Sequence, residues 1–353
     1  AKGAGLSPGT YRWSVASDGS VIFSPDWRFV GTASTTYRAK DSFGNPVASS
    51  LTVVVTRSAQ TATEKRLSAI GALDAGTDGS GIKVGVIDSG INYDHPDLGG
   101  TSTAAFPTSR VTTGWDYVGN DASPMDCFGH GTHVAGILGA DGNPKLNGAF
   151  GVAPKVTFGA YRVFNCSGEG TTDNVLAAMI QAGKDGMNVV NLSLGATAVS
   201  WPTETAYPLT QAAANLVKQG VVVVASAGNS NKGLFTVGSP AVAPGVISVA
   251  ATDATGEAIA PYSAIGLAAD LSLSPTIAAP GSDVYSTVLG SGHATKSGTS
   301  MAAPEVAGAV AEILQAKGWK VTPGTPEKVS ALLYGTASPL TSTTSGVTGR
   351  PEA

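Results

Sequence analysis

The chain is 353 residues long, enough for one large core and a smaller module. Charged residues make up 13%, the net charge is −4 and Lys and Arg form no run, which argues against nucleic acid as a partner. The most apolar run, Val221–Ala225, is far too short to span a membrane, and Ala1-Lys2-Gly3-Ala4-Gly5 lacks the apolar core of a signal peptide.

In chain order, Tyr11–Val15, Ser20–Phe23, Thr36–Ala39 and Leu51–Val55 come first. They are short, rich in β-branched and aromatic residues, and punctuated by Gly, Pro, Asn and Asp. That pattern predicts a small antiparallel β module over residues 1–58. Four strands make a thin core, so the module is expected to be sandwich-like or a fragment of a sandwich. Ser17–Asp26 and Asp41–Pro46 resemble the repeated β modules of bacterial surface proteins.

Residues 59–353 read differently. Lys83–Asp88, Val156–Val163, Asn188–Leu192, Gly220–Ala225 and Val246–Ala250 are apolar runs of strand length. Helical stretches lie between them. Thr172–Lys184 is capped by Thr171 or Thr172 and closes at Gly186; Leu209–Gln219 closes at Gly220. Two more helices are expected after His130 and after Ser300. Apolar strands alternating with helices predict an α/β fold, a doubly wound parallel sheet covered on both faces. Ligands of such sheets sit at the carboxyl ends of the strands. Asp88 ends one strand and Asn229 follows another, so both fall on that edge.

Three boxes carry chemistry: Val86-Ile87-Asp88-Ser89-Gly90, Gly129-His130-Gly131-Thr132-His133-Val134-Ala135-Gly136 and Ser297-Gly298-Thr299-Ser300-Met301-Ala302-Ala303-Pro304. They supply a carboxylate, an imidazole and a hydroxyl, the parts of an activated serine nucleophile. Pro304 suits the first turn of a helix, which would place Ser300 at a helix N-terminus where the peptide dipoles favour negative charge. The bland reading of Ser300 is a simple helix cap. His130 and His133, at i and i+3, also suggest a metal site, but zinc needs three or four ligands and the remaining histidines, His95 and His293, lie in unrelated contexts. Asp88-Ser89-Gly90 matches half of an aspartic protease site, yet no second half exists in the chain. All four histidines precede Ser300, which rules out the Ser, acid, His order of α/β-hydrolases and leaves the order Asp88, His130, Ser300.

With those boxes in that order, residues from about 60 to 340 resemble the catalytic domain of subtilisin-like serine proteases, the subtilases. Asn191-Leu192-Ser193-Leu194-Gly195 and Ala225-Ser226-Ala227-Gly228-Asn229 resemble two further boxes of that family. The resemblance implies a serine endopeptidase with Asp88, His130 and Ser300 as its triad and Asn229 as an oxyanion donor. It implies that Ser193, Leu194, Gly195, Ala225, Ser226, Ala227 and Gly228 bind substrate. The small residues suggest a roomy pocket without fixed charge, hence broad cleavage with an apolar preference. Protein or peptide substrates, a monomer and a secreted or cell-surface location are expected. The alternative is an inactive subtilase fold used as a surface-binding module.

The two cysteines, Cys127 and Cys166, are either free or bridged; sparse charge and many Ser, Thr and Gly residues favour a secreted protein and a bridge. Asp126–His130, Tyr161–Gly168 and Asp270–Pro275 resemble larger secreted subtilases, although Ala251–Pro275 leaves no room for the domain those often insert. In that fold both cysteines flank the same sheet edge. No cofactor is required, and no residue is assigned to a metal. Calcium is the structural ion the resemblance suggests, with Asp97 at a frequent ligand position and oxygens from the loop Asp141–Gly148; Lys145 in that loop counts against it. Glu305 stands where the family often has an aromatic or a histidine, either exposed or buried with a raised pKa.

Overall fold

The computed structural model describes residues 10–25, 29, 31–40, 43, 45–55, 62–72, 76–101, 105–142, 147–196, 207–230 and 234–340. Near the N-terminus, β1 (Tyr11–Val15) pairs antiparallel with β2 (Val21–Pro25), and β3 (Gly31–Lys40) with β4 (Pro46–Val55). These are two separate two-stranded sheets, where the sequence suggested one module of four strands. Aromatic contacts hold the first pair: Trp13 lies 4.8 Å from Phe23, and Tyr11 lies 4.8 Å from Phe29, centroid to centroid. The expected boundary at 58 lies outside the described residues, as do the tail after Leu340 and much of the Asp41–Pro46 motif.

A short helix, α1 (Ala62–Ala69), leads to the main sheet. Its strands are β5 (Lys83–Asp88), β6 (Val111–Asp116), β7 (Thr157–Arg162), β8 (Val189–Leu192), β9 (Val222–Ser226), β10 (Ile247–Thr252) and β11 (Ile277–Pro280). Their order is β11-β10-β9-β8-β5-β7-β6, every neighbouring pair parallel. Alternation along β5 divides the core. Val84 and Val86 pack with Val134, Ile137 and Leu138 of α2 (His130–Gly139) and with Val306 and Val310 of α5 (Thr299–Lys317). Ile87 packs on the opposite face with Val175 and Met179 of α3 (Thr172–Lys184) and with Leu216 and Val217 of α4 (Pro208–Lys218). Both faces are therefore dry, which is why the strands read as near-continuous apolar runs. The hairpin β12 (Val284–Thr287) and β13 (His293–Lys296) feeds directly into α5, and α6 (Thr325–Thr336) closes the described chain.

The predicted strands and helices fall within two residues of the observed ones except β3 and β4, which each begin five residues before the expected Thr36 and Leu51, and Thr171 Oγ1 caps α3 by accepting the Asn174 N–H at 3.2 Å. Helix α1, strand β6, strands β11 to β13 and helix α6 were not predicted. In β6 the interruption is Gly114, where a Cβ would fall 1.9 Å from the Ala160 carbonyl oxygen, so a glycine is required inside an ordinary strand.

Pro304 departs from the expectation. Helix α5 begins at Thr299, so Pro304 lies in its second turn rather than its first. Lacking an N–H, it cannot bond the Ser300 carbonyl four residues back. That carbonyl instead accepts the Ser193 hydroxyl at 2.8 Å, which ties the start of α5 to the end of β8.

Candidate active site

Asp88 closes β5 with its carboxylate fully buried. A buried carboxylate needs partners. Its Oδ1 accepts the Ser89 N–H at 2.7 Å, and both oxygens meet His130 Nδ1, at 2.8 and 2.9 Å. The imidazole opens α2, which passes so close to β5 that a Cβ on Gly131 would lie 2.2 Å from the Gly90 carbonyl oxygen. Burial pulls the His130 pKa down, but the charge and hydrogen bond of Asp88 outweigh it and raise the pKa above the ordinary imidazole value. Lys296 acts against that rise and Asp126 adds to it.

Asp126 was not singled out in the sequence, yet it organises this corner. Its Oδ1 accepts from the Ser89 hydroxyl (2.9 Å), Phe128 N (2.9 Å) and Gly129 N (2.8 Å), and its Oδ2 from Thr132 N (2.9 Å) and the Thr132 hydroxyl (2.5 Å). Ser89 in turn accepts the Gly131 N–H at 2.8 Å. A buried carboxylate thus meets the free N–H groups at the start of α2 and fixes His130 beside Asp88. In the sequence it figured only as the first residue of the Asp126–His130 stretch, with no role attached.

Ser300 lies in the first turn of α5 and shares a cleft with His130. Its hydroxyl donates to the Ser193 carbonyl at 3.2 Å, so the Ser193 carbonyl, and not the imidazole, is its hydrogen-bond acceptor in this structure. A turn about one side-chain bond separates that rotamer from others, and catalytic hydrogen bonds are commonly loose before substrate binds. Asn229, exposed at the same cleft, has its Oδ1 held by Thr299 N and the Thr299 hydroxyl, both at 2.9 Å. Those two bonds spend the carbonyl end of the amide and leave the NH₂ end as the donor. Thr299 is a second organising residue that the sequence did not reveal.

The cleft has a volume of ≈ 390 Å³. Ser193, Leu194, Gly195, Ser226, Ala227 and Gly228 line it, together with Phe128 and Phe164. Ala225 is buried within β9 and is not part of the lining. No Asp, Glu, Lys or Arg is among the described lining residues. Cys127 and Cys166 form a disulfide across 39 positions, joining the segment before α2 to the loop after β7, and so hold Phe128 and Phe164 on one rim.

The histidines divide their roles. His133 Nε2 faces the Ala294 carbonyl at 3.0 Å, and burial lowers its pKa to about 4, so its ring serves the β12–β13 hairpin while His130 serves Asp88. His95 and His293, which seemed unrelated in sequence, lie together beside Asp97. Calcium wants six or more oxygens. Asp97 Oδ2 already accepts the Ala149 N–H at 2.8 Å and meets His293 Nε2 at 2.7 Å. The Asp141 carboxylate is approached by Arg110 (3.4 Å) and Lys155 (3.8 Å). The described donors therefore do not fit calcium; Lys145 and its loop neighbours lie outside the described residues. Glu305 is completely buried in α5 and ion-paired with Arg66 of α1, whose other guanidinium nitrogen donates to the Phe150 carbonyl at 2.9 Å.

This fold is that of the subtilisin-like serine proteinases. A solved cold-adapted subtilisin-like serine proteinase aligns with a TM-score of 0.64 at 34% identity, over 79% of this chain and 90% of its own. The chain belongs to the subtilase family, whose model matches residues 79–351. A thermophilic serine proteinase of Bacillus sp. (strain AK1) is 40% identical over 68% of this chain and 53% of its own length; thermitase of Thermoactinomyces vulgaris is 40% identical over 68% and 77%. The chain thus spans about half the length of the first relative and about three quarters of the second. Among the described residues no helix is long and apolar enough to cross a membrane.

Proposed function

We propose that the chain is a serine endopeptidase in which Ser300 is the nucleophile, His130 the general base and Asp88 its orienting carboxylate. The observation that carries this reading is the two-oxygen grip of Asp88 on His130 Nδ1, in the cleft that also holds Ser300 and the Asn229 amide. With its Nδ1 proton held by Asp88, His130 has its lone pair on Nε2 and can take the Ser300 hydroxyl proton as that oxygen attacks a peptide carbonyl. The same proton then passes to the leaving amine, and water repeats the cycle on the acyl-enzyme. The Asn229 NH₂ and the Ser300 N–H at the start of α5 receive the oxyanion. Substrate chain runs along Ser193–Gly195 in the manner of an added strand. The uncharged lining of Leu194, Ala227, Gly228 and Phe164 selects apolar or medium side chains before the cleaved bond. Action outside the cell, as a monomer, on protein or peptide substrates completes the reading.

A fluorophosphonate probe is expected to label the folded protein once and Ser300→Ala not at all. Failure to label the folded wild type would favour a surface-binding module instead. For Asn229→Ala the expected result is a turnover lower by roughly 10²–10³ with little change in KM, a magnitude measured for a subtilisin asparagine and borrowed here. A loss confined to KM in steady-state kinetics contradicts the oxyanion role.

A further inference from the structure

Asp97 and His293 are 196 positions apart, yet the fold sets His293 and His95 edge to face with ring centroids 5.2 Å apart. One nitrogen of each ring and one Asp97 oxygen lie within 4.8 Å of one another. We propose that His95, Asp97 and His293 form a binding site for a nitrogen-preferring divalent cation, zinc or cobalt rather than calcium, that clamps the β12–β13 hairpin to the turn after β5.

Two imidazoles and a carboxylate are the donor set of zinc and of its first-row neighbours, not of a hard cation. Zinc bonds of about 2.0–2.1 Å put tetrahedral donors about 3.4 Å apart, so loading draws the wider pairs, now within 4.8 Å, closer by at most about 1.4 Å and parts the 2.7 Å His293–Asp97 pair. The His293–Asp97 hydrogen bond opens to admit the ion.

The surroundings are already those of a metal site. His95 Nε2 donates to the Gly292 carbonyl at 2.9 Å, which fixes the tautomer and leaves the lone pair on Nδ1, the second-shell pattern of ligating histidines. Only the Asp97 N–H meets that nitrogen, at 3.1 Å, and this is the contact the ion displaces. Tyr285 stacks on the His293 ring at 5.3 Å and is itself held by its hydroxyl on the Asn147 carbonyl at 2.9 Å. His95 is buried, whereas the Asp97 and His293 side chains keep 16% and 19% exposure, enough for entry of the ion and for a water in the fourth position.

The place of this cluster gives the ion a structural role. The hairpin and its loop are tied by Gly290 to Asn92 (2.7 Å), by Ala294 to His133 (3.0 Å) and by Lys296 to the Gly129 carbonyl (3.2 Å). They run straight on to Ser300. An ion on His95 and His293 adds a covalent-like clamp between the segment that follows Asp88 and the segment that precedes Ser300.

The test uses the full chain after treatment with chelator. Titration with Co(II) is expected to give a tetrahedral d–d absorption band saturating at one equivalent. The band persists in His130→Asn, which removes adventitious binding at the active site, and is lost in His293→Asn, a partly exposed position whose replacement is checked by circular dichroism. Zinc at a hundred times its Kd is expected to raise Tm by roughly 5 °C, with no such rise for calcium. No band and no shift in the wild type, an undiminished band in His293→Asn, or a calcium shift equal to that of zinc each overturns the proposal.

Discussion

Asp88→Asn is expected to lower turnover about 10⁴-fold with KM nearly unchanged, the scale seen when other serine proteases lose this carboxylate. Asparagine keeps the shape and can still accept the Ser89 N–H, so the fold survives. Its NH₂, turned toward His130 Nδ1, selects the wrong imidazole tautomer. The pH profile adds a second readout. The working imidazole is neutral, and in the wild type the Asp88 charge outweighs burial and raises its pKa. The acid limb of kcat/KM is therefore expected above 6.5, and in Asp88→Asn, where burial and Lys296 are opposed only by the weaker pull of Asp126, it moves down. An acid limb that stays in place in the variant removes Asp88 from the mechanism.

Arg66→Ala is expected to destabilise the fold by about 3–5 kcal/mol, because it leaves Glu305 buried without its cation. That corresponds to a Tm lower by roughly 4–7 °C for a chain of this length. Burial pushes the Glu305 pKa up to about 7, and Arg66 opposes the rise. The contribution of this carboxyl to stability is thus fully present below its unfolded value of 4.5 and is lost as pH rises toward about 7. Without Arg66 the folded pKa rises further and the loss continues past neutrality, so the deficit relative to wild type widens between pH 6 and pH 8. Thermal melts at the two pH values measure it. A variant that melts with the wild type at both shows that the pair is not holding α1 against α5. The double variant Arg66→Met with Glu305→Leu, which removes both charges, is expected to recover most of the loss.

Much of the sheet was legible because its signal is local. Lys83–Asp88 and Thr172–Lys184 carry their own periodicity, punctuation and cap, and both are found at the expected bounds. The chain order of Asp88, His130 and Ser300 was equally legible, since small-residue boxes mark the strand ends and helix starts that face a ligand. Helix α1 and strand β6 were not, because each depends on a distant partner: α1 on Glu305 across 239 positions, β6 on the close approach of Gly114 to Ala160.

The sequence by itself determined the fold class and the order of Asp88, His130 and Ser300 along the chain. Tertiary structure decided how that cleft is held. Asp126 gathers the start of α2, Thr299 turns the Asn229 amide, Ser193 takes the carbonyl that Pro304 cannot bond, and His293 meets Asp97. Each of these is a polar group satisfied by one far along the chain or on another element. Hydrogen-bond partners of that kind leave no periodic trace, so only the assembled core shows which donor meets which acceptor.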